Sequence, residues 1–537
     1  LYLRKAKAKN LTFVKNPPMR LCALLFMLIQ WCVSPFAYAQ STLQIRYYEG
    51  NRVEGVALAE TGDGGLLLLG NDYDENLSSD LLLYKVDVLG SIVWQRRLDM
   101  AGGNEYARDI LRLPNGHYLL AGETYSPGSS TGDILVAEVD ASGFLQWANT
   151  YGGPGSDVLS QLIPGKQGRF LLAGATNSFG AGHYDAYAIE IAADGDVVWS
   201  KTFGGAEEER CFAADTTHQG YILAGINNSH ADTQFAHALH LDANGNLLWE
   251  RVYGSATNDW LFGVDYRDDE QITFLGYSSS FGIGALDNYV FTTDLSGNVL
   301  WQKAYGTIHI DFILTAASTA DGGYVTSGGE DYFSTKIDSE GNLVWHDQYR
   351  ISPQNSPFRD LPADIKELSD GMIAVFGKTR ILENNSTQAY LVKVPADGVL
   401  NCQGGHGHSG AYEAPANAIS GTFQSEIGAG AVAEPATISS ADGLLSPFFI
   451  CSITDTHTPY TSLEAKLYPH ISGFDLETDQ QNLPVQLALY DASGRLVWQG
   501  KQTDSLFSYD FTILPKGWYA LRLASSDGRT GALIWVK

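Results

Sequence analysis

Apolar and polar residues fall along this chain in short runs, each ended by turn-forming residues. One stretch shows the pattern well: Ala107 to Leu113, His117 to Ala121, Asp133 to Val139 and Phe144 to Asn149. Between these runs stand Pro114-Asn115-Gly116, Ser126-Pro127-Gly128-Ser129-Ser130 and Ala141-Ser142-Gly143. Short β-rich runs bounded by Gly, Asn, Asp and Ser predict strands and tight turns, and no 3.6-residue period competes with them. In the following stretch Phe170, Leu171, Leu172 and Ala173 leave no polar face. Such a strand is expected to be covered on both sides.

The four-run unit recurs. An apolar run ends in glycine at Gly70, Gly122, Gly174, Gly225, Gly276, Gly328 and Gly377. An Asp-x-x-Gly-like turn leading to Trp keeps the same beat at Trp94, Trp147, Trp199, Trp249, Trp301 and Trp345, with Cys402 in the seventh place. A period near 50 residues means one supersecondary unit repeated. Four strands per unit and seven units predict an all-β fold, a seven-bladed β-propeller over residues 40–402, which protects its sheet edges by radial closure. An open solenoid is the competing architecture. Closure is supported by Gln44 to Gly50, which resembles the last strand and exit turn of a repeat and precedes the first full one. The seventh copy's own last strand, Val399 to Cys402, is short and lacks Trp, so the N-terminal strand is expected to complete that blade. The tryptophans themselves read as blade packing. They differ from the docking motif of quinoprotein propellers, because Asp140 to Trp147 is one residue shorter and lacks Thr-Gly-Lys.

Charge narrows the partners. The chain carries 34 basic and 61 acidic residues, a net charge of −27. Six of the basic residues and none of the acidic ones fall in residues 1–39. So acidic a surface repels nucleic acid and anionic lipid. The N-terminus reads as a targeting segment: Met19-Arg20, the apolar run Leu21 to Trp31, then Ala37-Tyr38-Ala39 before Gln40. These are the parts of a Sec signal cleaved after Ala39. Because the sequence opens on Leu1, Met19 is the expected start. The run is too short to span a membrane, no later one approaches 18 apolar residues, and no transmembrane helix is expected in the mature chain.

The stretch 403–461 is rich in Gly, Ala and Ser and reads as a linker. Cys402 and Cys451 flank most of it, and either close it as a disulfide, worth roughly 4 kcal/mol on the chain-entropy model, or remain two thiols. Cys211 reads as a core residue. From Ser462 short strands return, at Phe474 to Thr478, Val485 to Tyr490, Leu496 to Gly500, Trp518 to Leu523 and Ala532 to Val536. They predict a small Ig-like β-sandwich over 462–537.

Particular residues of this tail carry a resemblance. They are Tyr468-Pro469 at its opening, Leu489-Tyr490-Asp491-Ala492-Ser493-Gly494-Arg495 at its centre, Gly517-Trp518-Tyr519 later, and the closing strand that ends in Lys537. In these the tail resembles the C-terminal (type A) sorting domain of cargo of the type IX, or Por, secretion system of Bacteroidota. His470-Ile471 stand where that family continues with Asn-Pro. The repeats, with their Tyr151-Gly152-Gly153 and Phe203-Gly204-Gly205 exits, resemble propellers attached to such tails. The resemblance implies export through the periplasm to the cell surface or medium, with the type IX machinery as partner.

Chemical motifs are few. Gly128-Ser129-Ser130-Thr131-Gly132 matches G-x-S-x-G, but in a loop between strands rather than at the strand-to-helix turn a nucleophile elbow needs. His406-Gly407-His408 lacks a third metal ligand at sensible spacing. Acidic residues recur after the exit turns (Asp157, Glu208, Asp259, Asp311) and before the third strands (Asp80, Asp133, Asp185, Asp287). Turn hydrogen bonding explains them; a ring of carboxylates around a channel that takes calcium is the other reading. No other cofactor is expected. The function expected is a secreted, non-enzymatic recognition or scaffold module for a glycan or protein ligand. An extracellular hydrolase or lyase with its site in the central channel is the alternative.

Overall fold

The computed structural model describes residues 42–48, 52–99, 103–125, 131–230, 233–255, 257–267, 270–282, 285–306, 310–329, 333–349, 360–381 and 386–398. Beyond these it describes the short strands between residues 410 and 536 that are given below. Seven antiparallel sheets follow one another around a central channel. Blade 1 runs Arg52–Glu60, Leu66–Tyr73, Ser79–Val86 and Ile92–Asp99. Blade 2 runs Glu105–Arg112, Tyr118–Thr124, Asp133–Val139 and Leu145–Tyr151, so the expected strands are present with ends shifted by up to three residues. Blades 3 to 6 begin at Asp157, Glu209, Asp259 and Ile313.

Blade 7 takes three strands from Leu361–Glu367, Ile373–Ile381 and Ser386–Val394, and its fourth from Thr42–Tyr48 at the N-terminus. The ring therefore closes by pairing the two ends of the propeller. Ile45 and Tyr47 enter a core with Val53, Leu68 and Tyr84 of blade 1 and Phe376 and Leu391 of blade 7. Every other junction has the same construction. Leu119, Ala121 and Val136 of blade 2, for example, pack on Leu159, Leu172 and Ile189 of blade 3. Middle strands such as Phe170–Thr176 are buried throughout because a blade covers each face.

The Gly/Ala/Ser-rich stretch is more than a connector. Gly410–Glu413 adds a fifth strand to blade 5, Ala418–Ile419 to blade 4, Glu434–Pro435 to blade 2, Ser439–Ala441 to blade 1 and Ser446–Ile453 to blade 7. The chain thus runs back around the propeller, pairing with outer edges that would otherwise be open. Its last strand pairs with Thr42–Tyr48, which becomes interior to a five-stranded sheet. Low side-chain complexity hides this from the sequence, because edge pairing uses the backbone alone.

Residues 465–536 form two further sheets. One joins Ala465–His470, Gly473–Thr478 and Leu506–Asp510; the other joins Leu496–Gln502, Val485–Asp491, Trp518–Ser525 and Thr530–Val536. Among the described residues no helix is long and apolar enough to cross a membrane.

Candidate functional site

Each innermost strand carries one residue more than its neighbour can pair. The ladder skips Val56, Arg108, Ser160, Phe212, Phe262, Leu314 and Ala363, one per blade. A bulge of this kind re-aims the unpaired side chain and sharpens the local twist. The repeating glycine is its counterpart on the second strand. A Cβ at Gly174 would lie 2.0 Å from the carbonyl oxygen of Val158, and one at Gly225 would lie 1.8 Å from that of Arg210. Only hydrogen fits there. The glycine beat of the sequence therefore marks a backbone bulge, and with it the residue that each blade presents at one depth of the channel.

Val56, Arg108, Leu314 and Ala363 line a cavity of about 320 Å³ at the channel mouth, together with Glu54, Tyr73, Tyr106 and Lys378. Its polar groups form two ion-paired sets. Arg52 donates to Glu54 from Nε at 3.0 Å and from Nη2 at 2.5 Å, and Lys378 Nζ lies 3.2 Å from the same carboxylate. Burial pushes the Glu54 carboxyl up, but Lys378 and Arg52 outweigh it and hold it below the usual value. Tyr73 donates to Glu54 at 3.3 Å and carries the Arg52 guanidinium 4.4 Å above its ring. Burial, then the Glu54 charge, push the Tyr73 hydroxyl up to about 12. In blade 2, Arg108 makes a fork with Glu123, at 2.9 Å from Nε and 3.2 Å from Nη2.

Across the ring the same positions are aromatic. Phe212 and Phe262, the bulge residues of blades 4 and 5, stack at 5.1 Å with planes 11° apart. Trp260 stacks on Phe212 at 5.6 Å and on Tyr277 at 5.6 Å. Phe262 and Tyr277 lie 5.7 Å apart at 28°. All four are half-buried. The indole Nε1 of Trp260 donates to Gln234 Oε1 at 2.7 Å, which fixes its ring. At the level of the bulges the ring is thus charged at blades 1, 2 and 7 and aromatic at blades 4 and 5.

Deeper in the channel, polar side chains tie neighbouring innermost strands together. Asp364 accepts from the Leu58 amide at 2.9 Å, Asp109 from Leu162 at 2.9 Å, Gln161 from Ala214 at 2.7 Å and Asp215 from Tyr266 at 2.7 Å. Lys366 Nζ lies 3.3 Å from Asp364 and donates to the Leu58 carbonyl at 2.6 Å. Burial raises the Asp109 and Asp215 carboxyls to about 6.

The acidic series of the sequence lies elsewhere, and it does not ring the channel. Asp157 is buried, accepting from Thr176 Oγ1 at 2.5 Å, Ser178 Oγ at 2.6 Å and the Gly153 amide at 2.8 Å. Asp259 accepts from Ser278, Ser280 and the Ser255 amide in the same way. In blade 4 the ladder-equivalent residue is Glu209, whereas Glu208 pairs with Arg210. The alternation of a strand turns these residues away from the lumen. Asp80, Asp99 and Glu105 bring carboxylate oxygens within 4.8 Å of one another, and Arg97, 2.5 Å from Asp80, already pairs with one of the three.

Trp94, Trp147, Trp199, Trp249, Trp301 and Trp345 pack on the turn glycines of the next blade. A Cβ at Gly245, where φ is +73°, would lie 2.8 Å from the Trp199 ring. Cys211 is buried, its thiol pushed by burial up to about 12. The signal residues Ala37, Ala39 and Gln40 lie outside the described residues, as do Ser129, Cys402, His406, His408, Gly494, Gly517 and Lys537. Cys451 stands in the strand Ser446–Ile453, and Tyr468, Pro469, Tyr490 and Tyr519 stand in strands of the two tail sheets.

No family model and no curated relative matches the chain. Solved structures do. An α-L-arabinofuranosidase from Fusarium graminearum shares 12% identity over 67% of this chain and 99% of that one, at a TM-score of 0.40. An α-L-arabinanase from Penicillium chrysogenum shares 12% over 67% and 99%, at 0.34. PorZ, a surface component of the type IX secretion system of Porphyromonas gingivalis, shares 11% over 91% and 82%, at 0.24. These likenesses describe the propeller fold. The expectation that the chain is not an enzyme is corrected by the same likenesses, in which an α-L-arabinofuranosidase and an α-L-arabinanase stand among the structures it resembles.

Proposed function

We propose that this chain is an exported propeller, delivered to the cell surface or medium, which takes an extracellular glycan or protein at the channel mouth. The single observation that carries the reading is the ring of bulges. Seven strands spend a residue each to direct a side chain at one depth, and those side chains range from Arg108 through Val56 and Ser160 to Phe212 and Phe262, while the packing residues beneath them repeat. Variation at the bulges on an otherwise repeated frame is the mark of a binding surface held on a rigid scaffold.

Residues 462–537 act, in this reading, as a type IX sorting domain of Ig-like form, with Tyr468, Pro469, Tyr490, Gly494, Gly517, Tyr519 and Lys537 as its matching residues. A signal cleaved between Ala39 and Gln40 brings the chain to the periplasm first. Truncation at Ser462 tests the route. The shortened protein should fold and stay in the periplasm of a host with the type IX machinery, and equal export of both forms would sink the reading.

One observation favours a hydrolase or lyase at the same channel. Asp109, raised to about 6 below the mouth, has Asp364 and Lys366 as electrostatic neighbours, and a carboxyl protonated near neutrality suits a general acid. Release of reducing ends from an oligosaccharide panel, lost in Asp109→Asn, is the expected result on this reading. Release that persists in Asp109→Asn would exclude that residue.

A further inference from the structure

We infer that the ligand of the channel mouth is a neutral oligosaccharide, one sugar face lying on the Phe212, Trp260, Phe262 and Tyr277 rings while the hydroxyls of another unit of the same chain meet the Glu54 and Arg108 groups. The inference rests on the reading that the mouth is a ligand site, and adds the ligand's chemistry.

Three features of the mouth select this class. First, the aromatic arc is large, partly open and rigid. Its four rings lie with planes 11° to 30° apart in the measured pairs, and Trp260 is anchored through Nε1. Sugar C–H groups carry slight positive charge and suit the negative face of an aromatic ring, so such rings take the apolar face of a pyranose. A core cluster would be closed over by other side chains; these rings are half-buried and belong to the residues at and beside the bulges of blades 4 and 5.

Second, every cation of the charged arc is already engaged. Glu54 is shared by Arg52 and Lys378, and Glu123 is gripped by Arg108. A site for a phosphate, sulfate or uronate would hold basic groups free of carboxylates. Here three cations engage two carboxylates, and the groups keep spare capacity. A carboxylate has about four lone-pair sites and a guanidinium five N–H donors. Mixed donors and acceptors at fixed separation suit vicinal hydroxyls, which donate and accept at once.

Third, the size fits. A cavity of about 320 Å³ beside the charged arc, lined from blades 1, 2, 6 and 7, lies at the small end of ligand sites and holds one or two sugar rings, with the rest of the chain left to reach the aromatic arc.

The test uses the full chain and isothermal titration with cellohexaose, xylohexaose, laminarihexaose and mannohexaose, with hexagalacturonate as the acidic probe and a random heptapeptide library as the peptide probe. At least one neutral hexaose should bind. Phe262→Ala should weaken it tenfold or more, and Phe262→Tyr, which keeps the ring and the packing, should restore most of the affinity. Arg108→Gln should weaken it as well, while Trp199→Ala, away from the mouth, should leave it unchanged. Binding of hexagalacturonate or peptide alone, sensitive to Arg108→Gln, would overturn the neutral sugar and leave the mouth as the site. Binding indifferent to Phe262 and Arg108 would overturn both readings, and no binding to any neutral hexaose would overturn the inference.

Discussion

The hydroxyl of Tyr47 donates to the carbonyl oxygen of Gly90 at 2.7 Å, joining the N-terminal strand of blade 7 to the Asp-x-x-Gly turn of blade 1. The same latch recurs from Tyr151 to Gly195 at 2.7 Å, Tyr253 to Gly297 at 2.9 Å, Tyr305 to Gly341 at 2.5 Å and Tyr349 to Gly398 at 2.8 Å. Leu98 and Phe203 occupy the equivalent places in blades 1 and 3, where no hydroxyl is available. The ring is thus closed by the same bond that is made at four of its other six junctions.

Tyr47→Phe leaves the buried Gly90 carbonyl without this donor and should cost about 1–3 kcal/mol. Tyr151→Phe should cost a similar amount, since the local geometry is the same. Urea unfolding of the two variants checks both values, and a neutral Tyr47→Phe would mean that packing alone closes the ring.

Trp199 and Gly245 should behave as a coupled pair. Trp199→Ala removes a half-buried ring and is expected to cost about 2–4 kcal/mol, below the range for a fully buried one. Gly245→Ala adds a Cβ in a left-handed turn and against that ring, so it should also destabilise. In the Trp199→Ala background the steric part of the Gly245→Ala cost disappears, leaving only backbone strain. A double-mutant cycle by chemical denaturation measures the difference, and strict additivity would contradict the contact.

Much of this framework is legible in the sequence. The glycine and tryptophan beats give the blade count, and the spare strand at Gln44 gives the closure. The bulges are legible only in retrospect: the periodic glycine marks them, but the reason for the glycine is a carbonyl pressed against it from another strand. The site was missed for that reason. Arg108, Phe212 and Phe262 stand at matching positions that other blades fill with Val56, Ser160, Leu314 and Ala363, so no single residue type marks the position around the ring, and the positions come together only once the ladder register is known. Edge pairing by Gly410–Glu413 and its successors was hidden because backbone hydrogen bonds demand no particular side chain.

Asp109 should make stability depend on pH. Its carboxyl is raised by burial to about 6, so the folded state binds its proton more tightly than the unfolded chain does. That contribution is complete below the unfolded value near 4 and is lost as pH rises through 6. Asp109→Asn should therefore gain roughly 1–2 kcal/mol over the native protein at pH 7.5 after allowance for channel water, and gain little at pH 4. Thermal unfolding at the two pH values checks the sign, and an equal shift at both would contradict it.

Deleting residues 42–48 should expose two strand edges at once, those of Ser386–Val394 and Ser446–Ile453, which now pair with that segment. Open edges of this length invite pairing between molecules. Size-exclusion chromatography should show oligomers or loss of soluble protein, and a monomer of unchanged melting temperature would refute the closure described.

The claim that the bulge ring forms a ligand site is tested most directly by a crystal structure of the full chain grown with the tightest-binding neutral hexaose. The account predicts sugar density in the channel mouth, against Phe262 and Trp260 on one side and within hydrogen-bonding reach of Arg108 and Glu54 on the other. Density confined to the outer rim or to the tail sheets, with the mouth holding only water, would contradict it.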